Sequence, residues 1–205
     1  ARPRRAPRGR LGDPMLGATT PFRGQKDSNW EGGWRVPCFM RWPGTIKPDS
    51  VLNGIVSHID MFPTLLAAAG NPDVTKQLLE GCTVDKKKFN VHLDGYNLLP
   101  YLTGKEDTSP RKGFIYFTDD GDVAALRYDN WKMLFLEQRV TGTLKIWQEP
   151  FVVLRTPYIF NLRMDPYERA QITSNTFYDW MFRHIYLLVP AQAIVAEFLA
   201  TFKEF

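Results

Sequence analysis

The sequence predicts a protein that mixes helices and strands, in which helices dominate the first half and an antiparallel sheet with a long helix follows. Two periodicities carry this prediction. Apolar residues recur at helical spacing after Asp60 in the first half of the chain. From about residue 105 the period changes to two, which is typical of strands with one buried face. With 205 residues and a hydrophobic content of 44%, the chain can bury a sizeable core.

The first predicted helix begins near Asp60 and ends at Gly70. Asp60 is a candidate N-cap, and Pro63 falls in the first turn, where its missing N–H has no helical partner to lose. One helical face carries Phe62, Leu65, Leu66 and Ala69. Residues 71–95 contain turn residues and a run of three lysines, which predicts a mostly irregular surface segment with a short helix over 74–79.

Three strands are expected in the second half, over residues 113–117, 123–127 and 131–136. An Asp-Asp-Gly turn joins the first two as a hairpin, and apolar residues alternate along all three. The last third is apolar and is predicted to be helical, with Pro190 at the start of the final helix. Its apolar stripe consists of Ile194, Val195, Phe198 and Phe202. We expect this helix to cover the sheet, with Phe198 fully buried.

The basic charge of the chain is concentrated at its start. The net charge is +4, and five arginines lie within the first ten residues. The tail has no apolar period, so we expect it to be disordered. It could bind nucleic acid or an anionic membrane surface, but it has no aromatic residue to stack on bases. A sequence junction is therefore the favoured interpretation of the tail, and no nucleic-acid partner is expected.

Neither a membrane anchor nor a disulfide framework is expected. No run of some 18 apolar residues is found, so the sequence predicts no membrane span. No apolar segment follows the arginines, so it predicts no secretory signal there either. The two cysteines, Cys38 and Cys82, are too few for a disulfide framework, and two free thiols are expected.

The most informative segment is residues 21–37, with the sequence PFRGQKDSNWEGGWRVP. Lys26 lies on a loop ahead of Gly32 and Gly33, which lack Cβ atoms and allow close backbone approach. A lysine ammonium is a compact charge with three donors and can hold an anion. From spacing alone, however, a single loop lysine is more typical of a solvated charge.

This segment resembles a motif of the sulfatase family, in which a lysine precedes a polar stretch, an aromatic residue, Glu-Gly-Gly and Arg-Val-Pro. Residues 57–66, SHIDMFPTLL, are similar to the family's Asp-x-x-Pro-Thr-Leu helix start. Residues 158–168, YIFNLRMDPYE, resemble its Leu-Tyr-Asn-Leu-x-x-Asp-Pro-x-Glu run. The resemblance covers roughly residues 17–205 and looks closest to the bacterial arylsulfatase branch.

The resemblance implies the α/β fold class, with an alkaline phosphatase/sulfatase-like fold, and a division of the chain. Residues 1–16 are a basic tail without a match. Residues 17–104 correspond to the end of the family's large mixed domain. Residues 105–205 correspond to a C-terminal subdomain of antiparallel hairpins and terminal helices.

The resemblance also implies hydrolysis of aryl or carbohydrate sulfate esters, with Lys26 contacting the sulfate group. The intact family uses a formylglycine made from Cys-x-Pro-x-Arg (or serine) and a divalent metal, calcium, held by acidic residues and an asparagine. Cys38 and Cys82 do not lie in that pattern. Residues 5–7, about twenty positions before Lys26, are Arg-Ala-Pro and offer calcium no side-chain oxygen. We therefore expect an arylsulfatase fragment that is inactive alone.

Two other classes stay open. The chain could be a non-catalytic interaction or oligomerisation module, whose uncovered apolar face pairs with itself or with a missing N-terminal part. Less favoured is a binder of anionic polymers through the arginine-rich tail. Two features are interpreted as structural. His58 is expected to make hydrogen bonds beside a helix start, and the acidic residues of 119–122 are explained by turn chemistry rather than by a calcium loop.

Overall fold

The computed structural model describes residues 21–140 and 145–203. The predicted basic tail, residues 1–16, lies outside the described residues, and the predicted division of the rest into 17–104 and 105–205 stays a prediction. In chain order the helices and strands are α1 (Glu31–Trp34), α2 (Met61–Ala68), α3 (Val74–Glu80), β1 (Cys82–Val84), β2 (Lys87–Phe89), α4 (Leu99–Leu102), β3 (Gly113–Phe117), β4 (Val123–Tyr128), β5 (Trp131–Glu137), β6 (Val152–Asn161), α5 (Ala170–Thr173), α6 (Phe177–Arg183) and α7 (Leu188–Ala200). Short 3-10 turns lie at His58–Asp60, Lys145–Trp147, Ile185–Leu187 and Thr201–Lys203.

The chain forms two compact units that alternate along the sequence. The first unit contains the residues up to Pro37 and Ile115–Ala191. The second contains Cys38–Phe114 and the residues from Gln192 onward. The chain thus leaves the first unit after the loop that carries Lys26 and returns to it within β3.

The first unit is built on a four-stranded sheet in the order β3-β4-β5-β6. β4 pairs antiparallel with β5, and β5 pairs antiparallel with β6. The three strands predicted from alternation are confirmed. β6 lies in the last third of the chain, so the helical prediction for that stretch is wrong. Its Pro157 is tolerated because β6 is an edge strand, where a missing N–H need not interrupt the ladder.

The two central strands are buried on both faces, which simple alternation does not predict. Lys132, Met133 and Leu134 are consecutive residues of β5 and are 0%, 4% and 0% exposed. Helix α6 contributes to this cover: the Trp180 ring stacks on that of Trp131 at 6.1 Å, between ring centroids. The loop that precedes α1 also packs on the sheet. Burial on both faces explains why a charged residue of β5 is enclosed.

The prediction that Phe198 is fully buried is wrong. Phe198 is only partly buried, and its ring contacts Phe202 at a centroid distance of 5.4 Å. From Gln192 onward the chain belongs to the second unit. Periodicity identifies the apolar stripe of a helix but not the surface that the stripe contacts.

The prediction of no membrane span stays a prediction, because the terminal helical segment is long and apolar. Residues Ile185–Lys203 form a helical stretch of 19 residues with a mean hydropathy of 1.7, of which 6% is buried. By length and composition this stretch could cross a membrane. A count of consecutive apolar residues misses it because Gln192 and Glu197 interrupt the run. Core helices of soluble proteins share this composition, so it does not by itself place the segment in a membrane.

Residues 71–95 contain more regular structure than the sequence predicts. The short helix expected there is confirmed as α3, and β1 and β2 form an additional antiparallel hairpin. Its turn residues, Asp85 and Lys86, have φ angles of 49° and 69°. This conformation is usually signalled by asparagine or glycine, and neither stands at these positions. Cys82 opens β1, and both it and Cys38 are free thiols, as predicted.

A buried ion pair between Asp60 and Arg111 joins distant segments of the second unit. The Arg111 Nε and Nη2 atoms donate to the Asp60 carboxylate at 2.6–3.1 Å. The same carboxylate accepts the backbone N–H groups of Ser57 and Tyr96, each at 2.8 Å. Asp60 precedes α2 as predicted, but its carboxylate holds these segments together and makes no cap bond to the helix.

We expect Asp60→Asn to destabilise the chain, because it leaves the Arg111 guanidinium buried without a counter-charge. Breaking one side of a buried pair costs about 3–5 kcal/mol of unfolding free energy. Urea unfolding followed by circular dichroism measures this loss. Asp107→Asn, at an exposed position, is the matched control and should be neutral. Equal stability of the two variants would contradict the structural role of the pair.

Candidate functional site

The loop that carries Lys26 is closed by its own hydrogen bonds. The Ser28 backbone N–H donates to the Gln25 carbonyl oxygen at 3.0 Å, and the Ser28 hydroxyl donates to the same oxygen at 2.6 Å. The Trp34 indole N–H donates to the Ser28 carbonyl oxygen at 2.9 Å. These bonds fix the backbone on both sides of Lys26.

The paired glycines are required by close backbone packing. A Cβ atom on Gly32 would lie 2.5 Å from the carbonyl oxygens of both Arg23 and Gly24. A Cβ atom on Gly33 would lie 2.5 Å from the carbonyl oxygen of Gln25. Real side chains do not tolerate such distances, so only glycine allows this loop to fold back onto the start of α1.

A buried network of charges lies beneath this loop. The Lys132 Nζ atom is 3.2 Å from Glu31 Oε1 and 2.7 Å from Glu168 Oε1, and all three side chains are at most 1% exposed. Glu168 Oε2 accepts the backbone N–H of Glu31 at 2.7 Å. The Tyr116 hydroxyl donates to Glu31 Oε1 at 2.6 Å. The network joins the Glu-Gly-Gly motif to β3, to β5 and to the Asp-Pro-x-Glu run.

The buried network shifts the pKa values of its two carboxylates, Glu31 and Glu168, in opposite directions. Burial pushes the pKa of Glu31 upward, but the positive charges of Lys132 and Arg127 outweigh it and lower the pKa from 4.5 to about 2. For Glu168, burial raises the pKa and the nearby Lys132 only partly opposes it. Burial also raises the pKa of Tyr116 well above its usual value, with Glu31 adding to the effect. Glu31 is therefore the carboxylate of the network that stays ionised down to a low pH.

Arg23 anchors the other end of the loop. Its Nη1 atom donates to the Glu168 carbonyl oxygen at 3.0 Å and to Gln171 Oε1 at 3.1 Å. Its guanidinium lies over the Trp30 ring at 3.4 Å from the ring centroid. Lys26 is thus held between two anchored positions, Arg23 and Glu31.

Lys26 itself points to solvent at the edge of an open cavity. Its side chain is 84% exposed, and its Nζ atom lies 3.7 Å from Asp27 Oδ2. The ammonium is 5.6 Å from the centroid of the Trp147 ring. The cavity has a volume of about 680 Å³ and lies within the first unit. Its lining includes Lys26, Asp27, Trp34, Asp119, Asp120 and Trp147.

The described residues do not fit a metal centre. Within residues 21–140 and 145–203, no group of three or more His, Cys, Asp or Glu side chains could hold a metal ion. In the Asp-Asp-Gly turn, the Asp122 carbonyl oxygen accepts the Thr118 N–H at 2.9 Å, as expected of a hairpin. His58 lies in the 3-10 turn His58–Asp60 of the second unit.

Comparisons with known proteins agree on one family. A family model described as Sulfatase matches residues 11–71. Mouse steryl-sulfatase is 31% identical over 180 residues, which cover 80% of this chain and 26% of that protein. The chain belongs to the sulfatase family. Human arylsulfatase A is 34% identical over 117 residues, and the match covers 55% of this chain and 20% of the relative. An arylsulfatase from the sea urchin Hemicentrotus pulcherrimus is 33% identical over 119 residues, and the match covers 58% of this chain and 18% of that protein.

A solved structure supports the same sulfatase assignment at the level of the fold. The PsFucS1 sulfatase from Pseudoalteromonas sp. superposes with a TM-score of 0.63 at 26% identity, covering 90% of this chain and 33% of that chain. The predicted alkaline phosphatase/sulfatase-like fold is confirmed. The chain spans between 18% and 26% of the length of the three relatives named above. The predicted link to the bacterial branch stays a prediction.

Sequence reasoning found the Lys26 loop but missed the charges that hold it. Glu168 was noticed only as part of a matching run, and Lys132 was not noticed at all. A signal for Lys132 exists, because it is the only charged residue between Trp131 and Leu136 in an otherwise apolar strand. Its carboxylate partners lie 101 and 36 positions away and leave no local pattern.

The Glu31 pKa predicts a loss of stability in acid. Because its pKa is lower in the folded chain, the unfolded state binds more protons as the pH falls from 4.5 towards 2. The unfolding free energy should therefore decrease over this range, by about 3 kcal/mol for Glu31 alone. Glu31→Gln should lose this part of the pH dependence, measured by urea unfolding at about pH 5.5 and about pH 2.5.

The control for this experiment is Glu80→Gln, since the Glu80 side chain is 66% exposed and lies 3.8 Å from the Lys76 ammonium. Glu168 titrates with the opposite sign, and the negative charge of Glu31 contributes to raising its pKa, so the difference between variants reports Glu31 together with its effect on Glu168. The same pH dependence in Glu31→Gln and in the unsubstituted chain would show that the ion pairs of Glu31 do not stabilise the fold.

Proposed function

We propose that this chain is the C-terminal segment of an arylsulfatase-type sulfuric ester hydrolase, in which Lys26 contacts the sulfate group of the ester. The observation that supports this most directly is the placement of Lys26. It lies on the motif loop of the family, with an exposed ammonium beside a cavity and a backbone anchored on both sides.

The role of Lys26 follows from charge. A sulfate group carries negative charge on its oxygens, and that charge shifts as the ester bond breaks. A positioned ammonium stabilises such charge, and this stabilisation is often a major part of the rate enhancement. The buried network contributes to this stabilisation indirectly. Glu168 accepts the backbone N–H of Glu31 and so fixes the position of the loop that carries Lys26. We regard Glu31, Lys132 and Glu168 as positioning residues for Lys26.

In this proposal the nucleophile and the metal are supplied by a part of the sulfatase that this sequence does not contain. Members of the family are generally metal-dependent, and calcium is the ion we expect. No step is assigned to a metal bound by the described residues, which offer no group able to hold one. We therefore expect the chain by itself to have no sulfatase activity.

A chimera tests the role of Lys26. The segment of human arylsulfatase A that matches this chain is replaced by the matching residues, and hydrolysis of 4-nitrophenyl sulfate is measured. We expect Lys26→Ala to lower kcat by about 10²–10³, as for loss of one charge-stabilising donor. Lys47→Ala, at an exposed position of the second unit, should leave kcat unchanged. Equal activity of both variants would refute the proposed contact.

The isolated chain should not hydrolyse 4-nitrophenyl sulfate, with or without added calcium. The reason is the missing nucleophile and metal ligands rather than a misplaced Lys26. Turnover by the chain alone that disappears in Lys26→Ala would contradict the expected inactivity and would indicate an unrecognised site.

A second candidate function is a non-catalytic interaction module, favoured by the apolar surface of the second unit. Phe39, Val51 and Leu65 are 94%, 80% and 66% exposed. Exposed apolar groups of this size often mark a contact surface. Sedimentation of the chain over a range of concentrations separates the candidates: a stable oligomer favours the module, whereas a monomer favours a segment that pairs with the rest of a sulfatase.

A further inference from the structure

Lys26 occupies a central position of a four-residue turn, residues 25–28. The Ser28 N–H closes this turn by donating to the Gln25 carbonyl oxygen at 3.0 Å. Asp27, the other central residue, has a φ of 68°, in the left-handed region. Glycine enters this region freely and aspartate or asparagine tolerates it, whereas alanine is disfavoured there. Because a turn fixes both of its central residues, the backbone of Asp27 determines the direction in which the Lys26 side chain leaves the loop.

Ser28 is the residue that locks this turn. Its hydroxyl donates to the Gln25 carbonyl oxygen at 2.6 Å and accepts the Gln25 N–H at 3.1 Å. Its own carbonyl oxygen accepts the Trp34 indole N–H at 2.9 Å. Ser28 is 4% exposed, and a Cβ atom on Gly24 would lie 2.5 Å from its hydroxyl oxygen. The hydroxyl is therefore enclosed, and an alanine at this position would remove two bonds of the turn at once.

The turn is attached to the sheet through the next residue, Asn29, which is 1% exposed. The Asn29 side-chain amide donates to the Leu136 carbonyl oxygen and accepts the Gln138 N–H at 3.3 Å. A side-chain amide offers the same kinds of donor and acceptor as a backbone peptide. Asn29 therefore bonds to the end of β5 as a neighbouring strand would, and it gives the turn a fixed base.

A second turn with the same residue types lies in the second unit, at residues 47–50. Asp49 has a φ of 57°, and the Ser50 hydroxyl donates to the Lys47 carbonyl oxygen at 2.8 Å. Ser50 is exposed, however, whereas Ser28 is buried. A left-handed aspartate followed by serine is thus sufficient for a turn in this chain. The enclosed serine and the attachment to β5 are additional features of the first turn, which a turn as such does not require.

We infer that Asp27 and Ser28 are positioning residues for Lys26 in the hydrolysis of a sulfate ester. Asp27 supplies the left-handed backbone that directs the lysine, and Ser28 holds the turn in that form. An ammonium stabilises developing charge only if it is in place before the reaction, and a displacement of about 1 Å can cost on the order of 10²-fold in rate. This inference rests on the proposed function, since Lys26 is taken to contact the sulfate group.

Hydrogen exchange of the Trp34 indole N–H, measured by NMR on the ¹⁵N-labelled full chain, reports the state of the turn because this N–H is bonded to Ser28. Trp34→Phe assigns the signal. Ser28→Ala should accelerate the exchange about tenfold, as for the net loss of one hydrogen bond. Asp27→Ala should also accelerate it, whereas Asp27→Gly, which tolerates the left-handed backbone, should restore most of the protection. Ser50→Ala is the matched control and should leave the exchange unchanged.

The chimera with human arylsulfatase A tests whether the turn acts through Lys26. Ser28→Ala and Asp27→Ala should each lower kcat for 4-nitrophenyl sulfate about tenfold with KM nearly unchanged, as for an interaction made in the transition state. Asp27→Gly should recover most of the kcat that Asp27→Ala loses, and Ser50→Ala should have no effect. In a chimera that already carries Lys26→Ala, the same substitutions should lower kcat no further, because no ammonium remains to be positioned.

Faster indole exchange together with these non-additive losses of kcat supports the inference. Unchanged exchange in both Ser28→Ala and Asp27→Ala overturns it, because the turn would then not depend on these residues. Losses of kcat that are equally large with and without Lys26→Ala also overturn it, since the effect would not act through the lysine, and the proposed sulfate contact would stand. If Lys26→Ala alone keeps full activity, the proposed sulfate contact is refuted and the positioning role is refuted with it.

Discussion

Lys132 lies fully buried on the central strand β5, and three segments that are far apart in sequence meet at its ammonium. An isolated charge in this position would be strongly unfavourable, because burial removes its hydration. Glu31 and Glu168 supply the opposite charges, and Tyr116 and the Glu31 backbone N–H occupy further lone pairs of these carboxylates. The position of the motif loop depends on this arrangement, since the loop cannot shift without leaving a buried charge unpaired.

The second unit follows the same principle with different residues. The Asp60 carboxylate accepts hydrogen bonds from the Arg111 guanidinium and from the backbone N–H groups of Ser57 and Tyr96. In both units, long irregular stretches are held in place by a fully bonded buried carboxylate rather than by long helices or a continuous ladder. Polar contacts of this kind tolerate little displacement, whereas apolar contacts can repack.

Local patterns predicted the local elements well. The helix after Asp60 and the three strands from residue 113 are visible in the sequence because each has a regular period and a recognisable turn. The hairpin of β1 and β2 was missed because its turn uses Asp85 and Lys86 at positive φ. The full burial of Phe198 was predicted wrongly because a period defines an apolar stripe but not the surface that covers it. The Lys26 loop was found through its motif, whereas the network beneath it depends on pairings across 36 to 137 residues, which no local pattern encodes.

The long sequence separation within the network has a consequence for the order of events during synthesis. Glu31 and the Glu168 carboxylate that accepts its N–H are 137 residues apart. At ribosomal rates of about 5–20 residues per second, the second partner follows the first by roughly 7 to 27 s. Throughout that interval the glycine-rich loop has no buried carboxylate to bind and remains a solvated nascent segment. The lysine at its centre therefore reaches its final position only after Glu168 has been synthesised.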